Sequence, residues 1–265
     1  MTRMLKTIVC LLCLLIVLPS GAAFAELPYK TLYYDASLKG LRIQPLYVPD
    51  GILEYPMEEP VHLFVASNDH VFVVDKGNNR VIQFDEKRNF VRTIGDEEGD
   101  GKLNSPEGVF VAPDGTTYVA DSGNERIAVY MAEGKYVRSY GKPEAPILSG
   151  DYYFVPSKLI VDSRGVMYIA VKGSDQGILR MSPEGKFLGF FGANKSSPSF
   201  MNWIKKLILT KQQMAKEVAN KPRPIQSVAQ TPSGFVLSVS PGQWTTGNIR
   251  KLNASGIDAL NDKTI

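Results

Sequence analysis

Two stretches of this chain repeat each other at a spacing of 46 residues, and that period limits the fold more than any other feature. Pro60, Asp75, Arg80 and Gly95 return as Pro106, Asp121, Arg126 and Gly141. A looser third copy starts at Pro156 and a still looser fourth at Pro224. Between these anchors lie short runs of β-branched and aromatic residues, cut by turn sequences such as Pro113-Asp114-Gly115 and Pro183-Glu184-Gly185. Four short strands at a period in the forties make a unit the size of a propeller blade. A lone blade leaves both faces bare, so blades are expected to stack about an axis and shield one another's edges. The predicted fold class is therefore all-β, a β-propeller of four-stranded blades with about four blades visible.

Residues 1–25 read as a signal peptide outside this fold. Arg3 and Lys6 precede an apolar run over 8–18, which Pro19, Ser20 and Gly21 break before Ala23-Phe24-Ala25. Cleavage after Ala25 would export the protein to the cell envelope or the extracellular space. Both cysteines, Cys10 and Cys13, lie in this leader, so the mature chain would hold neither disulfide nor thiolate metal site. Losing Arg3 and Lys6 takes two from 30 basic residues and leaves 28 against 27 acidic ones. That balance provides no electrostatic case for a nucleic-acid partner.

The runs around Asp75-Lys76-Gly77-Asn78-Asn79-Arg80-Val81 and Asp121-Ser122-Gly123-Asn124-Glu125-Arg126-Ile127 resemble the NHL repeat family, with an aspartate, a glycine-asparagine turn, an arginine and an aliphatic residue. The resemblance covers roughly 60–260 and is tightest in the first two copies. The third departs from it, with Val171 at the aspartate position and Gln176 near the arginine position. On this reading Asp75, Asn79, Arg80, Asp121, Asn124 and Arg126 form a structural repeat motif that pins the blades' own turns. The resemblance implies closure with about six blades. The chain then reads as a truncated six-blade propeller, or as an open one completed by another subunit. Residues 26–59 form an N-terminal segment whose stretch at 31–48 would supply closing strands, and the blades occupy 60–265. Within them, Phe200, Trp203, Ile204, Leu207 and Ile208 recur at helical spacing, and Thr210-Lys211-Gln212-Gln213 is a capping-box pattern. These predict a helical insertion at about 199–219, packed over one mouth of the propeller. It is similar to an insertion in secreted bacterial NHL proteins.

Propeller enzymes place their chemistry in the central channel, near the starts of the innermost strands. Here those positions hold His62, Glu107, Lys158 and Gln226, the candidate channel and ligand residues. A histidine-rich zinc site is excluded on count, because the chain has only His62 and His70. Glu107, Asp121 and Asn124 have the right type for calcium, but one carboxylate per blade is not a cage. No phosphate-binding glycine loop occurs. No catalytic residue, metal ligand or cofactor is assigned. The expected function is an exported, non-enzymatic binding scaffold that offers propeller loops to a protein, peptide or carbohydrate. The face carrying 76–79 and 122–125 is one candidate surface. Membrane contact requires a retained leader or an interfacial insertion. The alternative is a calcium-dependent lactonase-like or lyase-like propeller enzyme.

Overall fold

The computed structural model describes residues 32–34, 40–42, 52–148, 152–174, 176–192, 224–240 and 248–260. The chain divides into two units, Met1–Leu53 and Glu54–Ile265. In the first unit, β1 (Leu32–Tyr34) pairs antiparallel with β2 (Gly40–Arg42). The leader and the helical insertion expected at 199–219 lie outside the described residues.

The second unit is a set of antiparallel sheets in chain order. The first blade holds β3 (Pro60–Val65), β4 (Val71–Asp75), β5 (Arg80–Phe84) and β6 (Phe90–Ile94). The second holds β7 (Pro106–Val111), β8 (Thr117–Asp121), β9 (Arg126–Tyr130) and β10 (Tyr136–Tyr140). The third holds β11 (Pro156–Val161), β12 (Met167–Val171), β13 (Ile178–Met181) and β14 (Phe187–Phe191). Three strands are described in the fourth, β15 (Ser227–Gln230), β16 (Val236–Ser240) and β17 (Asn248–Leu252). The innermost strands β3, β7, β11 and β15 pack against one another in that order. Among the described residues no contact of that extent joins β15 back to β3.

Blade-on-blade packing explains why the second strands are apolar on both sides rather than alternating. In β12 every residue from Met167 to Val171 is buried. One core joins the first two blades through Val74, Val81, Val109 and Val119. The other runs from Ile127 in the second blade through Ile169 and Leu179 to Val236 and Leu252 in the fourth. Residues 54–59 belong with the first blade: Tyr55 stacks on Phe90, with ring centroids 4.8 Å apart.

The recurrent proline has a consistent place. Pro60, Pro106 and Pro156 each open an innermost strand, where a missing N–H costs no ladder bond. In each case the pairing register shifts between the proline and the residue two places on, leaving Val61, Glu107 and Ser157 unpaired in the ladder. A bulge of this kind re-aims the extra residue's side chain. In the second blade that residue is Glu107.

Candidate functional site

The repeat motif is an internal fastening. Asp75 is fully buried, and both its oxygens are occupied. Oδ1 accepts the Glu58 N–H at 2.7 Å, and Oδ2 accepts from Asn78 Nδ2 at 2.9 Å and Arg80 Nε at 2.8 Å. Asp121 repeats this with the Asn104 N–H, Asn124 Nδ2 and Arg126 Nε, each at 2.8 Å. Each arginine then reaches the loop entering its own blade, Arg80 at Pro56 O and Arg126 at Lys102 O. The equivalent of Asn124 is thus Asn78. Asn79 does something else: it holds a left-handed φ of 55°, as Glu125 does at 52°, and its Oδ1 accepts the Ser105 N–H of the next blade at 2.7 Å.

Three of the four channel candidates meet at the inner rim, on the free edge of β7. An innermost strand has backbone groups with no ladder partner, and these need satisfying. From the first blade, His62 Nδ1 accepts the Val109 N–H at 3.2 Å. From the third, Lys158 Nζ donates to the Glu107 backbone carbonyl. His62 and Lys158 occupy equivalent repeat positions, two residues after their prolines, and so grip β7 from both sides. Between them the equivalent position is Gly108. Its absent side chain permits the approach, for a Cβ there would lie 2.4 Å from Ser157 O and 3.0 Å from Lys158 Cα.

The Glu107 carboxylate is held in the same two-sided way. Lys172 of the third blade donates to Oε1 at 2.5 Å, and Lys76 of the first lies 3.8 Å from that oxygen. Lys76 also bonds Glu59 at 2.8 Å, a contact that raises its pKa. Sequence reasoning passed over both lysines as site residues. The signal was present: each directly follows the motif position held by Asp75 or Val171, where the second blade has Ser122. Gln226 is not part of the group. It is exposed, its backbone N–H bonds Val239 O at 2.8 Å, and its side chain has no hydrogen bond among the described residues.

Burial and the nearby Lys158 ammonium hold the His62 pKa down at about 4. Burial also lowers the Lys158 pKa, with Glu107 opposing and Lys172 adding to the effect. At neutral pH His62 is therefore uncharged and carries its proton on Nε2, leaving Nδ1 to accept. The folded value lies below the ordinary 6.5, so the neutral imidazole stabilises the fold above that pH. The contribution is lost as pH falls from 6.5 toward 4. Equilibrium unfolding across this window should show wild type losing at most about 3 kcal/mol more than His62→Gln. Parallel pH profiles for the two proteins would mean that the histidine is solvated.

Calcium binding requires roughly six to eight oxygen ligands. Asp121 has none to offer, since both oxygens face N–H donors, and Glu107 is engaged by lysine. No group of three histidine or carboxylate side chains gathers among the described residues. The candidates among the described residues do not fit the metal. On the face carrying Asn79 and Asn124 lies a cleft of about 530 Å³, also lined by Asp100, Lys102, Asn104 and Arg126. Most of its polar groups are spent: Asn79 on Ser105, Asn124 and Arg126 on Asp121 and Lys102 O, and Lys102 on Glu98.

No family model and no curated protein sequence matches the chain. Among solved structures it is similar to a streptogramin B lyase, at 15% identity and a TM-score of 0.50 over 86% of this chain and 60% of that one. It is also similar to a virginiamycin B lyase from Staphylococcus aureus (15% identity, TM-score 0.48, 85% and 60% covered). A gluconolactonase from Xanthomonas campestris follows (14% identity, TM-score 0.46, 79% and 61% covered). The chain spans about 60% of the length of these structures. At such identities the likeness concerns architecture alone; that to the streptogramin B lyase, together with the four blade sheets, establishes that the chain folds as a β-propeller.

Proposed function

We propose that this protein is an NHL-type propeller acting as an exported, non-catalytic binding scaffold, with loops that engage a protein, peptide or carbohydrate. One observation carries the reading. The side chains best suited to chemistry at the inner rim, His62, Glu107 and Lys158, are committed to joining the second blade to its neighbours. A general base needs a free lone pair directed at substrate, and the Nδ1 lone pair of His62 is given to a backbone N–H. The repeat motif supports the NHL assignment, and the leader-like residues 1–25 support export.

The second reading, a lactonase-like or lyase-like enzyme, is favoured by the depressed pKa values of His62 and Lys158 within one cluster. The two readings separate in a calcium titration of wild type and Glu107→Ala, followed by thermal melting. A site filled at a hundred times its Kd would stabilise the fold by about 2.7 kcal/mol. The scaffold reading expects no calcium-dependent rise in Tm for either protein. A rise in wild type that Glu107→Ala removes would replace that reading with the enzymatic one.

A further inference from the structure

A second cleft, of about 520 Å³, lies at the outer rim between the end of β10 and the β13–β14 turn of the next blade. Ligand pockets commonly occupy roughly 300–1,000 Å³. Its walls differ in kind from those of the cleft beside Asn79. Tyr140 and Phe187 contribute aromatic surface, and Ser139, Glu144 and Lys186 contribute polar groups. The Phe187 ring is braced edge-on by Phe190, at 5.3 Å between centroids. Tyr140 spends its hydroxyl on Pro183 O at 2.7 Å and carries the Arg138 guanidinium over its ring, so it offers only remaining carbon surface. Gly185 keeps that surface open on its side, because a Cβ there would approach Tyr140 Cδ1 to 3.1 Å.

The polar groups decide what the cleft can hold. Among the described residues, the side chains of Ser139, Glu144 and Lys186 make no hydrogen bond, although the Lys186 ammonium also acts on the Glu184 carboxylate, whereas Lys142 at the margin is bonded to Tyr152 O at 2.8 Å. The three unspent groups are a hydroxyl that donates and accepts, a carboxylate that only accepts and an ammonium that only donates. A pyranose ring has a C–H face suited to an aromatic ring and a rim of hydroxyls that both donate and accept. The Glu144 and Lys186 charges offset each other, so the unspent groups select for no ionic ligand. We propose that this outer cleft binds a neutral sugar unit of a polysaccharide, seated on Phe187 and hydrogen-bonded through Ser139, Glu144 and Lys186. The proposal rests on the scaffold reading in assigning the cleft recognition rather than chemistry.

The test is electrophoresis of the full chain through native gels cast with uncharged polysaccharides: hydroxyethyl cellulose, mixed-linkage β-glucan, mannan and arabinoxylan. Wild type should be retarded by at least one of them. Phe187→Ala should abolish the retardation, and Glu144→Ala should weaken it about tenfold, as expected for losing one hydrogen bond to a charged group. Lys102→Ala, in the other cleft, should leave it unchanged. If Phe187→Ala no longer melts cooperatively, Glu144→Ala and Lys186→Ala decide alone, since neither side chain makes a hydrogen bond among the described residues. Retardation by none of the four polymers overturns the proposal, as does retardation that survives Glu144→Ala undiminished. Loss on Lys76→Ala or Lys172→Ala, with Glu144→Ala unaffected, would also overturn the outer cleft yet leave the scaffold reading standing. Calcium-dependent turnover would defeat the scaffold reading separately from the gel result.

Discussion

Asp121→Ala should destabilise the protein by about 3–5 kcal/mol, the usual cost of removing one partner from a buried, hydrogen-bonded ion pair. The carboxylate is completely buried and accepts from three donors, so its loss strands the Asn104 N–H and leaves the Arg126 guanidinium and the Asn124 amide with only the Lys102 carbonyl. In an exposed pair solvent would replace those bonds, and the cost would shrink to less than about 1 kcal/mol. Thermal melting should show a fall in Tm on the order of 10 °C. The third blade suggests the control. There Val171 replaces the aspartate and Gln176 stands near the arginine position, so charge and counter-charge are missing together. Replacing both partners by groups that need nothing from each other is far cheaper than orphaning one. The double variant Asp121→Val/Arg126→Gln should therefore melt closer to wild type than Asp121→Ala does. A single variant costing under about 1 kcal/mol would show that the motif is solvated and that the blade entry loops are held by other contacts.

The second large effect is expected from adding one methyl group. Gly108 does not have a positive φ, so alanine there meets no backbone penalty and would by itself gain about 0.4–1 kcal/mol by restricting the unfolded chain. The neighbouring strand reverses that sign. The new Cβ would lie 2.4 Å from Ser157 O and 3.0 Å from Lys158 Cα, and neither backbone atom can swing aside as a side chain does. β7 and β11 must separate, at about 2–3 kcal/mol net. Separation also pulls Lys158 away from the Glu107 carbonyl. Gly108→Ala should accordingly lower the denaturation midpoint at pH 7. Unchanged stability would mean that the second and third blades are not in close contact at their inner edge.

Much of the architecture was legible in the residues because its causes are local and periodic. Short runs of β-branched and aromatic residues bounded by Pro, Gly and Asp specify a strand or turn wherever they occur, and repetition at 46 residues marks the blade. The inner rim was legible only in part. His62, Glu107 and Lys158 could be nominated from their places after the prolines, but so could Gln226, which stands apart from them. The asparagine partner of Asp75 looked like Asn79, and only the geometry of the turn distinguishes it from Asn78.

The amino-acid sequence by itself determined the strands, the turns and the stacking of blades, since each follows from backbone preference and from the need to bury apolar faces. Tertiary structure alone decided which polar groups meet. Lys172 reaches Glu107 across 65 residues and Lys158 reaches it across 51. Whether such side chains touch depends on the rotation between blades and on the bulge that re-aims Glu107, and no local pattern encodes either. The same holds for the outer cleft: Ser139 and Tyr140 belong to the second blade and Phe187 to the third, and only blade packing brings them to one cleft.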